Sequence, residues 1–74
     1  MYDLYNVRPL ADKIVTCSRR EPMLAARVER LRQAGQTYGP AWNRAVEERR
    51  RNRLTWRAAS RAYRRVLRTI GAQA

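Results

Sequence analysis

Histidine and phenylalanine are absent from this 74-residue chain, cysteine occurs once, and glycine and proline occur three times each. Without histidine the usual general base near pH 7 is missing. A single cysteine, Cys17, excludes a disulfide within the chain. It also leaves too few sulfur and nitrogen ligands for a zinc site. Gly35, Gly39 and Gly71 are too dispersed to form a phosphate-cradling loop. No stretch approaches the roughly 20 apolar residues of a membrane span, and Met1 to Val7 lacks a charged leader followed by an apolar run. These absences predict a protein that is not an enzyme and has no cofactor, metal, small-molecule substrate or membrane partner. Cys17 is expected to be a small packed residue of a cytoplasmic protein.

Acidic residues are also scarce, six against 17 basic, for a net charge of +11. Such a chain repels itself, so salt or an anionic partner should stabilise it. At 45% apolar residues it is nonetheless too hydrophobic for a disordered basic tail. A domain this small buries only about 60% of its unfolded surface, which implies a modest core. All but one of the basic residues are arginine, whose guanidinium makes bidentate contacts with carboxylate and phosphate. A GC-rich genome would account for the bias towards arginine but not for its placement.

The placement is ordered. Arg57, Arg61, Arg64, Arg65 and Arg68 recur at helical spacing and fall within an arc of roughly 100°. Trp56, Ala59, Tyr63, Val66, Leu67 and Ile70 fall on the opposite arc, which predicts an amphipathic helix with a guanidinium stripe. Arg49, Arg50, Arg51 and Arg53 form a second cluster just upstream.

Along the chain, Met1 to Val7 reads as an extended arm carrying Tyr2 and Tyr5. Pro9 suits the first turn of a short helix with Leu10 and Ile14 on its apolar face, ending near Cys17. Ser18 and Glu21 have capping-box spacing and Pro22 suits a helix start, so a second helix is expected there. Leu24, Val28 and Leu31 would line its inner face, and Ala34–Gly35 would stop it. Gln36 to Gly39 is a loop, and Gly39–Pro40 opens a third helix around Trp42, Ala45 and Val46. Arg44 with Glu48, and Glu47 with Arg51, have i, i+4 spacing.

On the same helical wheel Arg49 and Arg53 rotate towards the apolar side. The third helix is therefore expected to fray near Arg50, with Asn52 in a turn and Thr55 capping a fourth helix that ends at Gly71. The expected fold is all-α: a small bundle of three to four short helices over residues 9–71. An N-terminal arm (1–8) and a flexible tail (72–74) flank it, with Trp42 and Trp56 as the largest core pieces.

The size, the charge, the arm MYDLYNVRPL and the segment RRRNRLTWRAASRAYRRVLR resemble the small, basic, helical transcription regulators that lytic phages of GC-rich hosts use to take over host RNA polymerase, the Xanthomonas-phage antiterminator type. The resemblance implies a protein of the host-cell cytoplasm that docks on bacterial RNA polymerase, inhibits sigma-dependent initiation and promotes antitermination. It makes Tyr2, Tyr5, Val7 and Arg8 the candidate docking arm. Arg49, Arg50, Arg51, Arg53, Arg57, Arg61, Arg64, Arg65 and Arg68 are the candidates for contact with nucleic acid or an acidic surface. The alternative is a direct DNA- or RNA-binding protein of helix-turn-helix type, with the fourth helix as the reader. An almost exclusively arginine face, without Asn or Gln to read adenine, argues against sequence-specific reading. A basic helix lying on anionic lipid and a merely solvated charged surface are weaker readings, the former because the apolar face is needed for a core.

Overall fold

In a computed structural model, which describes residues 7–73, the chain forms two long α-helices, α1 (Arg8–Gln33) and α2 (Pro40–Gln73). They are joined by a short loop and pack side by side as an antiparallel hairpin with extents of 54 × 17 × 15 Å. The expected helical class is present, but as two helices rather than three to four.

The ends of the loop follow local rules. Ala34 caps α1, and a Schellman arrangement closes it: the Gln36 N–H donates to the Leu31 carbonyl (2.8 Å) and the Gly35 N–H to the Arg32 carbonyl (3.0 Å). Gly35 takes the left-handed φ of 73° that this motif requires. Arg30 and Arg32 lie in the last turn, where cations meet the exposed carbonyls favourably. At the other side of the loop Gly39 (φ 93°) is the cap of α2. Its carbonyl accepts the Asn43 N–H at 3.0 Å, and Pro40 follows as first helical residue.

Both helices meet along a seam that repeats every seven residues. On α1 the seam runs through Leu10, Ile14, Cys17, Glu21, Leu24, Val28 and Leu31, and on α2 through Trp42, Ala45, Arg49, Asn52, Trp56, Ala59, Tyr63 and Val66. Alternating steps of three and four keep such a stripe facing its neighbour along a helix pair. Cys17, Leu24, Val28, Ala45 and Ala59 are buried. Burying a Leu or Val contributes about 1.5–3 kcal/mol each, and small alanines let the backbones approach. Trp42 and Trp56, expected as the largest core pieces, are only half-buried, and so are Tyr63 and Val66.

The two breaks expected from the sequence are absent, and they fall opposite each other. α1 runs straight through Ser18–Pro22, with Pro22 inside it. α2 runs straight through Arg50–Thr55, so Asn52 is a helical seam residue and Thr55 caps nothing. At this level Arg49 Nε donates to Glu21 Oε1 at 2.9 Å, and Arg53 Nε lies 3.8 Å from the same oxygen. Asn52 Nδ2 donates to the Cys17 carbonyl at 2.9 Å and reaches Glu21 Oε2 at 3.4 Å. Residues that look misplaced on either helix alone satisfy each other across the pair. Pro22 costs a helix interior about 3 kcal/mol, and these cross-links tie α1 to α2 in the turn immediately before it. Asn52 Oδ1 is buried without a partner, so the network is not fully satisfied.

Other expected details also change. Ser18 and Glu21 form no capping box. Glu48 pairs with Arg27 at 3.0 Å across the helices rather than with Arg44, whereas Glu47 does meet Arg51 at 3.2 Å. Gly71 does not stop α2, which continues to Gln73. Arg8 is the first residue of α1, and the remainder of the proposed arm, Met1 to Asn6, lies outside the described residues.

Candidate anion-binding face

The last acidic residue in the sequence is Glu48, and the nine arginines of the candidate set all follow it. This one-sided composition divides α2 into two electrostatic halves. In the half near the loop, most guanidiniums other than that of Arg44 meet a carboxylate. Glu47 meets Arg50 at 3.6 Å and Arg51, Glu48 meets Arg27, and Glu29 meets Arg32 at 3.4 Å. These exposed pairs contribute little individually, but they reduce local positive potential.

The distal half of α2 has no such compensation. Arg57, Arg61, Arg64, Arg65 and Arg68 are exposed, and none has a carboxylate within 4.0 Å among the described residues. Arg64 Nε makes only a long bond of 3.4 Å to the Ser60 carbonyl of its own helix. Because α2 is continuous, its arginines share one rigid register. Arg57 to Arg68 span about 16 Å of axis. Arg61, Arg64, Arg65 and Arg68 line one shallow depression with Leu67.

The structure separates the predicted site residues into three groups. Arg49 is not outward-facing: it belongs to the seam, bound to Glu21 and partly buried. Arg50, Arg51 and Arg53 are exposed but share Glu47 or Glu21. The five distal arginines have no carboxylate partner among the described residues. Of the proposed docking arm, Val7 is the half-buried cap residue of α1, Arg8 is exposed, and Tyr2 and Tyr5 lie outside the described residues.

A second feature lies beside the stripe, on the flank of the hairpin where α1 presents Val28 and Arg32. Trp42, Val46 and Leu54 line an open groove of about 410 Å³, rimmed by Arg32, Arg50, Arg53 and Arg57. Val46 and Leu54 are 37% and 48% exposed. The groove continues into a shallower depression formed by Trp56, Ser60 and Arg64, which shares Arg53 and Arg57. Single-helix reasoning misses it, because Trp42 and Trp56 then count as core. Recognising Glu21 and Arg49 as complementary members of two matching seven-residue repeats would have revealed the hairpin and, with it, this flank.

The geometry also bears on how the face can meet a polyanion. No helix-turn-helix is formed, because the expected turn at Arg50–Leu54 is helical. Among the described residues no group of three or more His, Cys, Asp or Glu could hold a metal ion, and no helix is long and apolar enough to cross a membrane. Cys17 is a free, buried thiol. The described residues thus define an antiparallel helical hairpin with a guanidinium face that none of their carboxylates meets. Comparison with family models, curated proteins and solved structures finds no match to this chain.

Proposed function

We propose that this chain is a docking protein that regulates transcription, of the phage type suggested by its sequence, and that it engages bacterial RNA polymerase through its arginine-rich flank. On this reading it interferes with sigma-dependent initiation, supports antitermination, or both. The observation that carries the docking part is the row of five distal arginines without a carboxylate partner among the described residues, on a rigid helix whose Arg49, Arg50, Arg51 and Arg53 do have one. Such a row suits an acidic protein surface or a phosphate backbone. The choice of polymerase rests on the resemblance of the arm and the arginine segment to phage regulators.

The decisive experiment is capture from a bacterial lysate on the immobilised chain, with and without nuclease. Polymerase subunits retained after nuclease are the expected result, and Arg61→Glu with Arg65→Glu should release them while leaving helical circular dichroism intact. Recovery of nucleic acid alone would replace the polymerase reading with direct binding. That second reading is favoured in one form only, contact with the phosphate backbone, because the stripe offers almost nothing but arginine to base edges. Such binding would be indifferent to sequence, with log affinity falling against log salt at a slope of about −4 to −5 for five phosphate contacts.

A further inference from the structure

We infer that the flank between Trp42 and Trp56 is a docking groove for an acidic amphipathic helix of a partner protein. The inference rests on the reading of the chain as a docking protein and names the element it takes. The floor and rim of the groove have different chemistry. Trp42, Val46 and Leu54 supply apolar floor beside the seam residue Arg49, which is engaged by Glu21, and the rim contributed by Arg32, Arg50, Arg53 and Arg57 is entirely cationic. A ligand that satisfies both must carry an apolar stripe flanked by carboxylates. An acidic helix with apolar residues at i, i+3, i+4 and i+7 has that layout, and laying a helix into a groove is a common recognition mode.

Charge and shape disfavour the other occupants. A second copy of the chain would bring its own arginines against the same rim, because a two-fold contact places like patches together. A nucleic-acid duplex offers no apolar face to Val46 and Leu54. A single strand would stack its bases on indole rings, but both tryptophans are half-buried at the seam. From Trp42 to Arg64 the flank runs about 33 Å along α2, enough for roughly six turns of a third helix.

The test uses the full chain and its two tryptophans as the probe. A synthetic tryptophan-free peptide of roughly five helical turns, with leucines at helical spacing and glutamates elsewhere, is titrated against tryptophan emission. A scrambled peptide of identical composition and an oligothymidine serve as comparisons. The amphipathic peptide should shift emission to shorter wavelength and bind at least about ten-fold more tightly than the scrambled one. Val46→Ser with Leu54→Ser should remove that advantage without loss of helical circular dichroism, since both side chains are exposed, while Leu67→Ser should not. Equal binding of the two peptides, or unchanged binding by the double-serine variant, overturns the inference. So does an oligothymidine that binds the groove as tightly as the amphipathic peptide, or a dimer of the free chain that the double-serine variant abolishes. Polymerase retained equally by wild type and double-serine variant also overturns it, yet leaves the polymerase reading standing. Peptide selectivity without polymerase capture supports the groove and removes the polymerase reading.

Discussion

Glu21 shows how one side chain can look wrong in a sequence and right in a fold. It occupies a seam position where an apolar residue is expected, and its carboxylate holds Arg49 at 2.9 Å and Arg53 at 3.8 Å. The side chain of Glu21 is 17% exposed and that of Arg49 30%, so the pair is partly screened by water. Removing one partner from such a pair leaves a half-desolvated charge, which costs more than the intact pair contributes. Glu21→Ala should therefore lower unfolding stability by about 1–3 kcal/mol in urea titrations. Replacing both Glu21 and Arg49 with leucine should recover most of that loss or exceed it. A double variant as unstable as Glu21→Ala would mean that the seam at this level cannot accept apolar side chains. Asn52 belongs to the same cluster, and its bond to the Cys17 carbonyl secures the register of the two helices.

The helices themselves carry two kinds of information. Propensity and capping rules locate the loop well: Gly35, Gly39 and Pro40 stand where a helix must end and another begin. The same rules insert breaks at Ser18–Pro22 and Arg50–Asn52 that do not exist, because they treat each helix without its neighbour. Pro22 is exposed, so its ring adds little packing, and it deprives the Ser18 carbonyl of an intrahelical donor. Pro22→Ala should accordingly raise stability by about 1–3 kcal/mol, read from thermal or urea unfolding. Destabilisation instead would show that Pro22 helps α1 fit against α2. The arginine stripe on the distal half of α2 was visible in the sequence because helical periodicity alone defines it. The groove beside it was not, since it needs Val28 and Arg32 from the other helix.

At the scale of the whole molecule, the described residues form a rod rather than a ball. Its radius of gyration is 16.7 Å, where a compact domain of this length would have about 11 Å. Small-angle scattering of the free chain should return the larger value; one near the smaller would restore the three- to four-helix bundle. A rod with one buried seam has a small core to set against a net charge of +11. Self-repulsion is strongest at the distal end, where five arginines lack carboxylate partners among the described residues, and it is screened over about 10 Å at 0.1 M salt. The melting temperature should rise by several degrees between roughly 20 and 500 mM sodium chloride. A fall would mean that the cross-helix ion pairs outweigh the net repulsion.

By itself the sequence determined the helical class, the loop between Ala34 and Gly39, and the guanidinium stripe, because each follows from periodicity or backbone preference within one short segment. Only the tertiary structure decided that two long helices replace several short ones, that Arg49 turns inward, and that Trp42 and Trp56 open onto a flank. The reason is the same in each case. A charged or amide side chain at an apolar position breaks a helix in isolation, but a complementary group on a second helix can pair with it, and one chain segment read alone does not contain that partner.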